Sequence, residues 1–224
     1  TSLTMTGTSG GTRIDETDDI ILNDVAASAM TLVAGGSITN SLNNTIAIMN
    51  LASLTGSSID LGQATAATAN NFGTLTFTSV GAVGISENSN TTITGTNTAL
   101  SLDIDSTGAV TDAAATSITV TNNAGFTGTS ITLAVNADTL SVVGVATFDG
   151  GAGAVNVNVG NAAAAHFGSL TFNTTGGAVN IEEDSAMILT GTNTADSLSL
   201  TSATGSITDD AGTSVTVTNN AGFT

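Results

Sequence analysis

The sequence predicts an all-β fold: a right-handed parallel β-helix, or β-solenoid, with rungs of about 19 residues. Three observations carry the prediction. A stretch of more than fifty residues recurs nearly intact about 96 residues further along the 224-residue chain. Short runs alternate apolar and polar residues with period two. Thr, Val, Ile, Gly and Asn are abundant, and Pro, Cys, Trp and Tyr are absent.

The repeat comes first. The stretch from Phe72 to Thr127 is matched by the stretch from Phe167 to Thr224, and both end in VTNNAGFT. The offset grows from 95 at Phe72/Phe167 to 96 at Gly95/Gly191 and 97 at Val120/Val217. Two one-residue insertions account for the drift, and a match of this length means duplication. The first seventy residues read as a worn copy: GSITN at Gly36–Asn40 echoes GAVTD at Gly108–Asp112 and GSITD at Gly205–Asp209. The chain therefore divides into a diverged copy (1–71), a full copy (72–166) and a partial copy (167–224), expected to form one continuous solenoid.

Shorter rungs should lie inside so long a unit. SLSLTS, TSVTVTN, AVNVNVG and TSITLAV each read as half-buried strand. A candidate apolar ladder runs Leu3, Leu22, Leu42, Leu61, Val83, Leu102, Val120, Leu140, Val159, Val179, Leu198, Val217, in steps of 18 to 22 residues. Five such steps would make one long repeat. Stacked at ~4.8 Å, eleven or twelve rungs would form a rod on the order of 55 Å long. Gly and Asn between the runs suit tight corners. NDVAASAM (Asn23–Met30) and AAAAH (Ala162–His166) could each close a helical turn, but Ala fits corners equally well. A string of β-sandwich domains is the competing architecture. It is disfavoured because no linker separates the copies and no Trp, Tyr or disulfide could centre a sandwich core.

Charge excludes several functions. One Arg, no Lys and eighteen carboxylates give a net charge of −17. Such a surface cannot neutralise a phosphate track, so nucleic acid is excluded as a partner. Docking on anionic lipid is disfavoured equally, and no run reaches the ~18 apolar residues a membrane-spanning helix needs. No basic segment precedes an apolar stretch and no Met opens the chain, so Thr1 reads as an internal start.

The run TADSLSLTSATGSITDDAGTSVTVTNNAGFT (Thr194–Thr224) resembles giant repetitive bacterial surface proteins, the secreted adhesins of the filamentous-haemagglutinin type. The resemblance covers essentially the whole chain and is one of pattern and composition. It implies a right-handed β-helix with rungs near this length, exported unfolded and folded at the cell surface or outside the cell. The amino-terminal secretion domain of such proteins has no counterpart in these residues.

Candidate chemical sites are few. Calcium is the most credible ligand, because DETDD (Asp15, Glu16, Asp18, Asp19) and EED (Glu182, Glu183, Asp184) supply close-set hard oxygens. Asp209 and Asp210 add a third acidic pair. None has EF-hand spacing, and solvated loops are the plainer reading. GGAGAVNV (Gly150–Val157) resembles a calcium-binding nonapeptide but has Val155 where the ligating Asp belongs.

Asp103 and Asp105 share one strand face, as a pair of glycosidase carboxylates would. Their counterparts in the second copy are Ser199 and Thr201, so a solvated outer face is the simpler account. His166, the lone His, corresponds to Asn71. Arg13, the lone strong cation, cannot supply a polysaccharide-lyase site against an anionic substrate. Thr triplets such as TLT and TVT resemble the arrays of ice-binding solenoids, but along the chain they fall in differing contexts. The Asn-x-Thr sequons at Asn90 and Asn173 matter only in a glycosylating host.

The expectation is therefore a structural or adhesive protein without enzymatic activity. It would be a segment of a long rod at the bacterial cell surface, with homotypic end-to-end or lateral self-association, and with surface glycans or host or neighbouring cell surfaces as further partners. The alternatives are a self-assembling filament or sheath subunit, and a carbohydrate-binding or carbohydrate-active β-helix.

Overall fold

A computed structural model describes residues 1–42, 44–62, 70–135, 138–160 and 165–224, leaving aside the side chains of residues 8 and 9. The described residues form 24 strands joined in one sheet, every pairing parallel, with no helix. The chain is a parallel β-solenoid of about 9 turns with roughly 22-residue spacing. One turn comprises three strands, for example Ala82–Glu87, Thr91–Ile93 and Thr96–Ala99. Asn23–Met30 lies within the extended strand Ile20–Ala34, and Ala162–Ala164 fall outside the described residues.

The rung of about 19 residues is thus corrected to about 22, and the reason is uneven corners. One paired ladder runs Ile20, Ile38, Ile59, Val83, Leu102, Ala124, Ala146, Leu170, Leu189, Asp209, in steps from 18 to 24. The expected ladder is right at Leu3/Leu22, Val83/Leu102 and Val179/Leu198. Elsewhere it slips. Leu22 pairs with Asn40, while Leu42 stands 59% exposed in a corner. Leu102 pairs with Ala124 rather than Val120, and Leu140 with Ala165 rather than Val159. In a chain two-fifths apolar, another apolar residue always lies near the expected spacing.

Period-two alternation turns Val, Ile, Leu and Phe inward on most strands, and each contributes ~1.5–3 kcal/mol on full burial. The interior holds one continuous cluster from Ile20 to Leu200. In register, Ile85, Ile104, Phe126, Phe148 and Phe172 stack one above another. The rings of Phe126 and Phe148 lie parallel with centroids 5.6 Å apart, and Phe167 meets Phe148 edge-on at 5.7 Å.

The recurring segment TGTNTA has a structural task. Strand Asn70–Ser79 is overlain by two strands of the next turn, through Leu75/Ile93 and Thr78/Thr98. The corner between those two strands turns at Gly95, whose φ of 70° suits a residue without a Cβ. The Phe77 amide beneath would lose its ladder partner there. Fully buried Asn97 fills the gap: its Oδ1 accepts Phe77 N–H at 2.9 Å, and its Nδ2 donates to the carbonyls of Thr94 and Gly95, each at 3.1 Å. Asn193 does the same for Phe172 N–H at 3.0 Å, beside Gly191 with φ 67°.

The long repeat is not a whole number of turns. Ile59–Leu61 belongs to the ladder that rises through Val83, Leu102, Ala124 and Ala146. Val155–Val157, which follows the Ala146 strand and occupies the matching place in the next copy, belongs to the ladder of Ile131 and Val179. One repeat is therefore four turns plus one strand, and equivalent residues of successive copies lie on adjacent faces of the rod.

Candidate functional site

The first acidic run does not converge. Asp15 forms a two-bond ion pair with Arg13, at 2.6 and 2.9 Å, and both side chains are exposed. Glu16 accepts the Thr17 amide at 3.0 Å, and hydrogen bonds from Thr1 and then Thr17 hold its carboxyl below the usual range. Asp19 accepts the amide and hydroxyl of Ser37 at 2.8 and 2.9 Å, which lowers its pKa too. Asp18 is exposed in the same corner. Each carboxylate serves its own corner, and among the described residues no three His, Asp or Glu side chains gather as a metal ion would require.

The second run splits further. Glu182 turns to one side, where its Oε2 accepts Gly160 N–H at 3.1 Å. Glu183 turns inward and is 1% exposed. Its Oε1 accepts Phe167 N–H at 2.9 Å and the Ser185 hydroxyl at 3.1 Å. Its Oε2 is buried without a hydrogen-bond partner. Burial pushes the Glu183 carboxyl up to about 7 against these hydrogen bonds.

The first copy supplies a natural comparison. Glu87 accepts Phe72 N–H at 2.8 Å and Ser89 at 3.1 Å in the same manner, and its Oε2 accepts the Thr91 hydroxyl at 2.7 Å. Burial raises its pKa as well. Met187 stands where Thr91 would complete the set around Glu183.

His166 lies beside this cluster and meets Asp184, another residue the sequence singled out. Its Nδ1 is 2.9 Å from the Ser185 hydroxyl and 3.4 Å from Asp184 Oδ1. A Ser–His–Asp relay needs Ser and Asp on opposite ring nitrogens. Here both lie on Nδ1, so the arrangement is not that of a nucleophilic triad.

Asp103 and Asp105 do share an outer face, as expected, on strand Ser101–Ser106. Burial, and secondarily the charge of Asp105, raise the Asp103 pKa. Asp60 and Asp103 lie in register on either side of Gly84 and line a shallow hollow with it. Ser199 and Thr201, on strand Ser197–Ser202, occupy a different face from the Asp pair, because equivalent strands of the two copies differ by one face.

The feature the sequence misplaced is the Thr-rich face. The triplets fall into register. One column is Val33, Thr55, Thr78, Thr98, Thr119, Ser141. Beside it run Thr31, Ser53 and Thr76 and, above the step at Gly95, Thr96, Ser117 and Thr139. All are partly or fully exposed, and none bears a charge. Arg13 and Asp15 bound the array at one end and His166 at the other.

No known protein family matches the chain, and neither a curated protein nor a solved structure matches it.

Proposed function

We propose that this chain is a segment of a structural, adhesive rod of the bacterial cell surface, similar in kind to the filamentous-haemagglutinin type of adhesin. The observation that carries the reading is the uninterrupted parallel ladder, in which inner strands are hydrogen-bonded on both sides through about 9 turns. Such a ladder transmits load along its axis through many backbone hydrogen bonds at once. The side walls, freed from any task in the core, are the surfaces that engage a neighbour, a surface glycan or another cell.

The low count of long charged side chains and the absence of Trp and Tyr, the usual sugar platforms, support a passive rod over an enzyme. The lone His has both hydroxyl and carboxylate on one nitrogen, and the Asp103/Asp105 pair has no equivalent on the matching strand of the second copy.

The test is the intact mass of the native polypeptide, taken from the cell surface and from the medium. A chain much larger than 21.7 kDa, found outside the cell, is the expected result. A mass near 21.7 kDa would replace the rod segment with a self-assembling filament or sheath subunit. Depolymerisation of neutral or acidic glycans by the purified chain would overturn the structural reading in favour of a carbohydrate-active protein.

A further inference from the structure

We propose that the Thr/Ser face from Thr31 to Ser141 is a lateral docking surface for a second copy of this chain. The inference rests on the rod reading above and names its partner. Two observations on this face and one property of the fold carry it.

The first is charge. The protein carries −17, so two copies repel wherever their carboxylates face each other. Along six successive rungs the two outward columns of this face hold eleven hydroxyl residues and Val33, and no acid or base. The acids lie elsewhere: Asp60, Asp103, Asp105 and Asp149 point outward on the neighbouring ladder. An uncharged strip is where two such acidic rods can approach closely.

The second is the rim. Val80, Leu100 and Val143 stand 85%, 42% and 62% exposed, directly after Ser79, Ala99 and Val142 on one edge of the face. Met49 and Leu51, 71% and 37% exposed, border the opposite edge just before Ser53. Among the described residues, five of the ten exposed large apolar side chains thus border this one face, and such a gathering marks a contact surface.

The third is period. Rungs repeat at ~4.8 Å and outward residues of one strand at ~6.6 Å. A second copy of the chain has the same two spacings by construction. Thr and Ser columns can then interdigitate as in stacked sheets, about 10 Å apart. Thr is β-branched and stiff at χ1, so little side-chain freedom is lost on contact. The strip measures roughly 24 by 20 Å, smaller per partner than the ~800 Å² of a standard interface. The pairing is accordingly weak for 224 residues and strengthens with rod length.

Because the chain has no Cys, single Cys substitutions can trap the contact. Thr78→Cys, Thr98→Cys and Thr119→Cys place a thiol along one column. Ser199→Cys, exposed on another face, is the control. Under mild oxidation at matched concentration, at least one of the three should form disulfide-linked dimers about tenfold or more faster than the control, because docking raises the effective thiol concentration. Adding Thr96→Glu to that variant should return it to the control rate, with the melting curve of each variant confirming the fold.

Equal rates for all four variants, or fastest trapping by Ser199→Cys, would overturn the proposal. So would retention of the monomer on ice or crystalline cellulose through this face without dimer. Any of these results leaves the rod reading to its own intact-mass test.

Discussion

Glu183 accepts the Phe167 amide at 2.9 Å just as Glu87 accepts that of Phe72 at 2.8 Å, yet only Glu87 has a hydroxyl on its second oxygen. Duplication has produced two versions of one buried carboxylate, and the second lacks a partner. The difference sits in a single side chain, Thr91 against Met187.

Met187→Thr should therefore pull the raised pKa of Glu183 down towards the ordinary carboxylate range. A hydroxyl placed as in the first copy gives Glu183 Oε2 a charge-assisted partner, worth about 1.5–3 kcal/mol before the loss of Met burial is counted. The reverse change, Thr91→Met, should destabilise by removing the 2.7 Å bond to Glu87. Denaturant titration checks Thr91→Met, and a shallower fall of stability between pH 4 and pH 8 checks Met187→Thr.

Acid should stabilise this fold. Glu183 is held at about 7 and Asp112 at about 6, both chiefly by burial, and Glu87 and Asp103 are raised in the same direction. A carboxyl with a raised folded pKa binds its proton more tightly when folded. Its contribution is complete below the ordinary carboxylate range and is lost as pH climbs through 6 to 7. Glu16 and Asp19 act in the opposite sense, but they are exposed and screened. The melting temperature should fall from pH 4 to pH 8, and Glu183→Gln should flatten part of that slope. A melting temperature that rises over this range would contradict the burial of these groups.

Asn97→Ala should strand the Phe77 amide in the core and expose a gap at the fork of two strands. The expected loss is about 1–3 kcal/mol. Asn193→Ala should act at the equivalent fork, nearly a hundred residues on, and the two losses should add. A cost near zero for either substitution would show that the fork closes by itself.

Chelation should leave the melting curve unchanged. Asp15 is paired with Arg13, Asp19 with Ser37, and Glu182 and Glu183 turn to different partners. A calcium-dependent rise in melting temperature would require these carboxylates to reorient around an ion.

The sequence reveals strands and stacking because alternation is local: Val179, Ile181 and Glu183 lie on one face in any extended chain. The same rule turns Glu183 inward, although its charge suggests a solvated loop. Rung length is not local. It depends on how many residues the corners absorb, and whole turns here differ by up to six residues, as the steps Ile20/Ile38 and Ile59/Val83 show. The Thr/Ser columns were invisible for that reason, since register must be known before triplets align. The buried Asn97 did leave a trace: TGTNTA is identical at Thr94–Ala99 and Thr190–Ala195 while its surroundings have drifted.

The repeat advances by four turns and one strand, so each new copy carries its features to the next side of the rod. A pattern with this pitch winds like the thread of a screw and regains its bearing only after three copies. Whatever imbalance a copy introduces, a bulky corner or a half-satisfied Glu183, is met by the following copy from a direction a third of a revolution away. A bend favoured by one copy is thereby turned to a new side by the next, so that duplication does not by itself build a bend in one direction.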